Sequence, residues 1–296
     1  MVVMNGLISI ILPIYNVEKY IRHCLECIVC QSYKNLQIIC IIDGSSDNSE
    51  NICKEFAKKD SRFEIIMQKN CGCAVARNNA LKYVKGSYIC FIDPDDYVNK
   101  TYIESLYKAI TINASDIALA KMIRIKGKSK KIRTHFNSEK KYSTHSEIFA
   151  VAECPPDYGV VNKMYRTELI KQNNILFETN CLWCDDVRFC VEAFLAAKSI
   201  VTVPDAIYYY IKRVGSISHS KVSYQKQLQR FRIRSAAVKN IITHNVHIPP
   251  KELFVTKLVY SFFSVPLFSI RKNIKNNRII VLLFGILPIL KKEEND

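Results

Sequence analysis

Four short apolar segments recur before residue 94, and a segment with the polar pattern of a surface helix separates each from the next. The apolar segments are LISIILP (7–13), LQIICIID (36–43), FEIIMQ (63–68) and SYICFID (87–93). Helices are predicted between them, the first starting at Asn16, the second at a capping-box-like pair of Asp47 and Glu50, and the third at about Cys73. Apolar strands that alternate with helices are typical of a parallel sheet covered on both faces. The pattern therefore predicts an α/β fold.

Polar residues follow three of these four strands. Tyr15 and Asn16 follow the first, DGSSD (43–47) the second and DPDD (93–96) the fourth. In open parallel sheets, ligands bind beyond the carboxyl ends of the strands. Each stretch alone has the composition of an ordinary turn, but three stretches at one edge of the sheet favour a binding site.

Asp93, Asp95 and Asp96 place three carboxylates close together, and such charges repel one another unless a positive group lies among them. We predict that Asp93 and Asp95 bind Mg²⁺ or Mn²⁺, because these ions prefer carboxylate oxygens, and that the ion's open positions take a diphosphate. Arg77, in the third predicted helix, lies near the same edge. It either holds phosphate or pairs with Asp93 or Asp43.

The downstream sequence predicts a strand over residues 115–125, a helix from about Asp185 to Ala197 and a strand over residues 206–211. The lysine-rich segment 126–133 is predicted to be an exposed loop. The N-terminal residues lack the pattern of a secretory signal, which predicts a cytoplasmic protein whose 12 cysteines are reduced thiols.

Positive charge is concentrated towards the C-terminal end. The formal charge is +16, and residues 221–296 hold 14 of the 43 Lys and Arg but only 4 of the 27 Asp and Glu. Such a region suits an anionic partner, either nucleic acid or the acidic lipid surface of a membrane. Its apolar segments 258–270 and 279–290 are shorter than the about 20 residues that a spanning helix needs. They are predicted to form helices that either lie in the membrane interface or pack on the rest of the chain.

Seven motifs occur together in one order along residues 7–218. They are SIILPIYN, IIDGSSDNS, ARNNAL, GSYICFIDPDD, NKMYRTEL, DDVRF and YYYIKRVGSIS. Their order and rough spacing resemble those of family 2 glycosyltransferases, which are inverting enzymes with a GT-A-type, Rossmann-like sheet that use nucleotide-diphosphate sugars.

The resemblance implies a division of the chain and a role for each matched residue. Residues 1–97 are expected to bind the nucleotide sugar, residues 98–220 to form the acceptor side of the same domain, and residues 221–296 to form the basic, helical C-terminal region. The residues expected to line the nucleotide pocket are Pro13, Tyr15, Asn16 and Asp43. Asp93 and Asp95 match the metal and nucleotide motif, with Asp95 the direct ligand. Asp186 matches the general base, and Lys163 and Arg213 match positive residues that face the diphosphate.

Three positions depart from the family pattern. Ile42 stands before Asp43 where the family often has a second acidic residue, so one expected contact to a uracil base is missing. Asp185 replaces the glutamate of the Glu-Asp pair and is a second candidate for the base. Ala80 replaces a usual glycine.

The resemblance favours a metal-dependent enzyme that transfers a sugar, with a UDP-sugar as the expected donor, to a glycan or lipid-linked glycan in the synthesis of a surface polysaccharide or lipopolysaccharide. The basic region would hold it on the cytoplasmic face of an anionic membrane. Two other classes stay open: a nucleic-acid-binding protein, although no nucleic-acid motif is visible, and a nucleotide-sugar-binding protein without turnover. A dinucleotide oxidoreductase is disfavoured, because no G-x-G-x-x-G follows the first strand. The sequence does not predict an oligomeric state.

Overall fold

The computed structural model describes residues 5–134, 136–152, 159–179 and 185–213, together with the backbone of residues 260–262, 265–273, 278–283 and 287–292. The helices are α1 (Glu18–Val29), α2 (Ser49–Lys59), α3 (Cys73–Leu81), α4 (Tyr102–Ile112), α5 (His145–Val151), α6 (Thr167–Gln172) and α7 (Asp185–Ala196). The strands before residue 214 are β1 (Ile8–Ile14), β2 (Leu36–Asp43), β3 (Phe63–Gln68), β4 (Tyr88–Phe91), β5 (Tyr97–Val98), β6 (Ile117–Lys126), β7 (Ser129–Ile132), β8 (Lys140–Tyr142), β9 (Lys163–Arg166) and β10 (Ile200–Ile211).

The first four strands form the parallel sheet that the sequence predicts. They lie in the order β3-β2-β1-β4, with β1 parallel to both β2 and β4, and β2 parallel to β3. Ile10 of β1 is aligned with Ile38 of β2 on one side and Cys90 of β4 on the other. Every residue of β1 and β2 is buried, which explains why these segments are apolar along their whole length.

The sheet continues beyond β4 through β9, β6, β10 and β5. β9 is antiparallel to both β4 and β6, whereas β10 is parallel to β6. One sheet therefore contains both the N-terminal parallel strands and the later strands β6, β9 and β10. The carboxyl ends of β1, β2, β3 and β4 all lie at one edge, which is where the candidate functional residues lie.

Two predictions of secondary structure are wrong. The segment 126–133 is not an irregular loop, because β7 pairs antiparallel with β6 to form a hairpin that turns at Gly127 and Lys128. The described parts of the C-terminal region are strands rather than helices: β11 (Tyr260–Phe262), β12 (Val265–Asn273), β13 (Arg278–Leu283) and β14 (Leu287–Lys292) form an antiparallel sheet in that order. Short runs rich in Val, Ile and Phe have high β propensity and cannot be distinguished from a buried helix by periodicity alone.

Among the described residues, no helix combines the length and the apolar character that crossing a membrane requires.

Candidate functional site

Three carboxylates lie together beyond the end of β4. The chain turns here, with the Asp96 amide donating to the Asp93 carbonyl at 3.0 Å. One carboxylate oxygen from each of Asp93, Asp95 and Asp96 lies within 4.8 Å of the others. The expectation that these acids converge at the sheet edge is therefore met, but each acid has a different environment.

Asp96 is the buried member of the group. Its carboxylate accepts hydrogen bonds from the Tyr208 hydroxyl at 2.8 Å and from the Ile211 amide at 2.7 Å, both in β10. Burial raises the pKa of Asp96 well above its usual range, and the charges of Asp93 and Asp95 raise it further. Both oxygens thus have protein partners, so Asp96 holds the turn against β10 rather than facing the open edge.

Asp95 pairs with Arg213, two residues beyond the end of β10. The guanidinium Nε donates to the Asp95 carboxylate at 2.5 Å, and the guanidinium also lies over the ring of Tyr20 on α1, 5.0 Å from its centroid. Burial raises the pKa of Asp95, as does the charge of Asp93, while Arg213 opposes the shift. The resemblance pointed to Arg213 as a positive residue of the site, and the structure places it directly on the acidic turn.

Arg77 pairs with Asp93, which is one of the three alternatives that the sequence left open. Its guanidinium donates to the Asp93 carboxylate at 2.8 Å and lies 5.3 Å from the centroid of the Phe177 ring. The next residue, Asn78, exchanges two hydrogen bonds with the backbone of Phe177, at 2.8 and 3.0 Å. The ARNN motif therefore fixes both the acidic turn and the segment that leads towards α7.

Asp43 organises the loop between β3 and α3. Its buried carboxylate accepts hydrogen bonds from the Gln68 side chain at 2.7 Å and from the amides of Cys71 and Gly72, both at 2.9 Å. Gly44 follows with a φ of +66°, and a Cβ at that position would lie 2.7 Å from the Asn70 backbone nitrogen. The DG pair of the second motif thus allows the loops after β2 and β3 to approach closely.

The residues after β1 form the adjacent part of the edge. Pro13 is buried within β1, whereas Tyr15 is 46% exposed. Asn16 has a φ of +48°, and its side-chain oxygen accepts a hydrogen bond from the Ser46 amide at 2.8 Å. Asp47 does not form the expected capping box. Its two carboxylate oxygens instead accept from the Glu18 and Ser49 amides, at the starts of α1 and α2.

α7 brings Asp186 to the same region through an aromatic cluster. Phe189 stacks on Phe177 with ring centroids 4.3 Å apart and meets Phe91 of β4 edge to face. Asp186 precedes Phe189 by one helical turn and therefore lies on the same face of α7. Burial raises the pKa of the Cys190 thiol to about 12, and the charges of Lys163, Asp186 and Arg77 all act on that thiol. The side chain of Asp185 lies outside the described residues.

Lys163 lies in β9 and is buried. Its ammonium group donates hydrogen bonds to the Gly159 carbonyl at 2.6 Å and to the Asn162 side-chain oxygen at 2.9 Å. These bonds hold the loop that precedes β9. A contact of Lys163 with a diphosphate stays a prediction.

The donor set of the acidic turn fits a divalent ion. Asp93 and Asp95 supply hard carboxylate oxygens at a sheet edge, with Arg77 and Arg213 as the positive groups beside them, whereas Asp96 is engaged with β10. Sequence reasoning missed the anchoring by Tyr208 and by the Phe91, Phe177 and Phe189 cluster, because these contacts join residues far apart in the chain. The parallel sheet and its acidic edge define an α/β protein with a GT-A-type fold.

Comparison with known proteins agrees with this class. Residues 9–173 match the model of the glycosyl transferase family 2 domain, so the chain belongs to glycosyl transferase family 2. A crystal structure of residues 1–349 of TarS from S. aureus, in complex with UDP-GlcNAc, superposes with a TM-score of 0.71 at 27% identity and covers 87% of this chain and 73% of that one.

Two curated relatives are longer proteins. Glycosyltransferase GlyA of Streptococcus pneumoniae is 32% identical over 221 residues, which is 71% of this chain and 31% of that protein. Poly(ribitol-phosphate) beta-glucosyltransferase of Bacillus spizizenii is 33% identical over 224 residues, which is 73% of this chain and 34% of that protein. The chain therefore spans about a third of the length of each.

Proposed function

We propose that the chain is an inverting glycosyltransferase that moves a sugar from a UDP-sugar to a hydroxyl of a glycan or lipid-linked glycan. The observation that carries the proposal is the turn of Asp93, Asp95 and Asp96 at the sheet edge of a family 2 domain, with Arg77 and Arg213 paired to it. A donor diphosphate needs both a cation site and basic groups, and this turn offers the residues for both.

Asp93 and Asp95 are the residues that would hold a Mg²⁺ or Mn²⁺ ion, with Asp95 as the direct ligand. Such an ion would neutralise the charge that develops on the leaving nucleoside diphosphate. Arg213 would move from Asp95 to the diphosphate, and Arg77 would keep Asp93 in place. Uridine is chosen because the similar TarS structure contains UDP-GlcNAc, although Ile42 provides no acidic contact to the base.

Asp186 would act as the general base. A hydroxyl is a weak nucleophile at neutral pH, so a carboxylate that accepts its proton as the bond to the anomeric carbon forms accelerates transfer by about 10² to 10⁴. The acceptor attacks from the face opposite the leaving group, which inverts the configuration. The packing of Phe189 on Phe91 supports this role, because it holds the first turn of α7 near the end of β4.

The acceptor would belong to a bacterial surface polysaccharide, as the name of the poly(ribitol-phosphate) relative suggests. The protein would work at the cytoplasmic face of the membrane, and the excess of positive charge in residues 221–296 supports a peripheral attachment to anionic lipid.

A donor screen tests the proposal. The purified chain would be heated with Mn²⁺ and UDP-, GDP- or ADP-sugars, because a ligand that binds only the folded state raises the melting temperature. We expect UDP-sugars to give the largest increase and one of them to be hydrolysed slowly to UDP. If no nucleotide sugar protects the protein, the proposed function is wrong.

A further inference from the structure

The hairpin formed by β6 and β7 is strongly basic and contains no acidic residue. Residues 117–138 include seven Lys and Arg and no Asp or Glu: Lys121, Arg124, Lys126, Lys128, Lys130, Lys131 and Arg133. This cluster, the basic hairpin, is separate in sequence from the basic C-terminal region.

The cations at the end of the basic hairpin are exposed to solvent. Lys126, Lys128, Lys130 and Lys131 are exposed, and Arg124 is partly exposed. Within the described part of the chain, none of these five side chains has an ion pair or a hydrogen bond. Their charge is therefore available to a partner outside the chain.

The strand register places like charges directly opposite each other. Arg124 of β6 is aligned with Lys131 of β7, so the two side chains share one face of the hairpin. Like charges in such cross-strand positions destabilise a sheet. An anionic partner bound at this face would relieve the repulsion between Arg124 and Lys131, and that relief would favour binding.

The basic hairpin is connected to the acidic turn through β10. Arg124 is aligned with Tyr210 of β10, and the next residue, Ile211, donates its amide to Asp96. Arg213, three residues beyond Tyr210, pairs with Asp95. At about 3.3 Å per residue along a strand, the Arg124 position lies about 10 Å along the sheet from Arg213. A chain bound along the hairpin can therefore reach the turn.

We propose that the basic hairpin binds a polyanionic acceptor, a linear glycan or polyol chain with phosphodiester charges along its backbone, and guides it towards the acidic turn. The proposal rests on the proposed function and names the acceptor class for it. The shape favours a linear chain over a membrane, because β7 is only four residues long. The one large apolar side chain exposed on the described hairpin is Ile132, at 50%, and binding in the membrane interface needs an apolar face.

Binding of a synthetic poly(glycerol phosphate) to the full chain tests the proposal. The test variant is Lys130→Thr/Lys131→Thr, in which threonine keeps the β propensity of the strand. A second variant, Lys128→Ser, changes only the turn of the hairpin. The matched control is Lys58→Gln/Lys59→Gln, which removes two exposed cations from the last turn of α2. Uncharged dextran, an RNA homopolymer with the same number of phosphates and anionic vesicles serve as comparison ligands.

We expect the double hairpin variant to bind the polymer about tenfold more weakly than wild type at low salt and to show a shallower salt dependence. Lys128→Ser should weaken binding less, the control should match wild type, and dextran should not bind. Equal polymer binding by wild type and both hairpin variants would overturn the proposal. Tighter binding of the RNA than of the polymer would also overturn it, because the partner would then be a nucleic acid. If the hairpin variants lost binding only to the vesicles, the partner would be a membrane, and the proposal would again be wrong.

Protection by UDP-sugars is measured in parallel on every variant. Unchanged protection in the hairpin variants shows that they are folded. If no UDP-sugar protects even wild type while the hairpin variants lose polymer binding, the proposed function is wrong and the polyanion surface stands. If UDP-sugars protect normally and the hairpin variants bind the polymer as wild type does, the proposed function stands and the polyanion surface is wrong.

Discussion

Asp93, Asp95 and Asp96 are neighbours in the sequence but have different partners in the fold. Arg77 lies against Asp93, Arg213 against Asp95, and the Tyr208 hydroxyl with the Ile211 amide against Asp96. The repulsion expected from three adjacent acids is thus relieved by side chains of the protein itself. Electrostatic repulsion alone therefore does not require a metal ion. The proposed metal site depends instead on Arg213 leaving Asp95 to bind the diphosphate, which frees the Asp95 carboxylate for the ion.

Asp95→Asn tests that exchange. The variant should lose the increase in melting temperature that UDP and Mn²⁺ together give to wild type, because an amide is a poorer ligand than a carboxylate for a hard cation. Thermal unfolding would be followed with UDP alone, Mn²⁺ alone, both, and both with EDTA. Asp205→Asn, an exposed acid in β10, is the control and should behave as wild type. Full protection of wild type by UDP in EDTA would contradict the metal site.

Asp186→Asn separates catalysis from donor binding. We expect turnover to fall by about 10² to 10⁴, the usual contribution of a general base, while the dissociation constant of the UDP-sugar changes little. Initial rates and donor titrations on the same preparation give both quantities. Asp185→Asn is the comparison variant. If its turnover falls and that of Asp186→Asn does not, the base is Asp185.

At the scale of secondary structure, the turn between α2 and β3 joins three elements. Arg62 donates to the Asp60 carboxylate through Nε at 2.9 Å and through Nη2 at 2.6 Å, and Nη2 also donates to the Val29 carbonyl at the end of α1. The hydrogen bond from Arg62 lowers the pKa of Asp60 below its usual 3.8, and burial opposes this only partly. The carboxylate therefore stabilises the fold most when it is ionised.

Asp60→Asn is expected to lower the free energy of unfolding by about 1 kcal/mol at pH 7. Because the pKa of Asp60 is lower in the folded than in the unfolded state, its contribution is complete above about pH 5 and is lost as the pH falls through the folded-state value. Urea unfolding of wild type and variant between pH 7 and pH 3 measures this, and the difference between the two should become smaller towards the acid end. Glu104→Gln, an exposed acid of α4, is the control. A difference that does not change with pH would contradict the assignment.

The elements predicted from sequence were those whose pattern is local. β1, β2 and β4 are buried on both faces and read as continuous apolar runs, so the parallel sheet followed from the sequence. β9 was not predicted, since KMYR is short and carries two cations, and its pairing with β4 and β6 depends on residues far away. The Lys-rich β7 has no alternation of polar and apolar residues, so only its pairing with β6 identifies it as a strand.

The candidate site divides in the same way. The positions of Asp43 and Asp93 at the sheet edge followed from the rule that ligands bind beyond strand ends. The partner of Arg77 could not be predicted, because a phosphate, Asp93 and Asp43 were equally compatible with the sequence. The contact between Tyr208 and Asp96 spans 112 residues, and a single sequence contains no local signal for it.

At the scale of the whole molecule, one sheet carries residues from both halves of the proposed domain to the same edge. β1, β2 and β4 lead to Asn16, Asp43 and Asp93, whereas β10 supplies Tyr208 and leads to Arg213. Every described residue assigned to the site lies between Pro13 and Arg213. The basic C-terminal region is therefore expected to contribute to location rather than to donor binding.

Deletion of residues 253–296 tests this separation. We expect the truncated protein to keep the full increase in melting temperature with UDP and Mn²⁺, because the acidic turn and its arginines remain. Co-sedimentation with anionic vesicles should fall, since the deletion removes seven of the 14 Lys and Arg found in residues 221–296 and each basic residue near an anionic surface contributes about 1 kcal/mol. Neutral vesicles and high salt are the controls, and both should abolish binding by wild type.

Unchanged co-sedimentation after truncation would leave the membrane attachment without support. Loss of donor protection after truncation would instead show that the site extends into the C-terminal region.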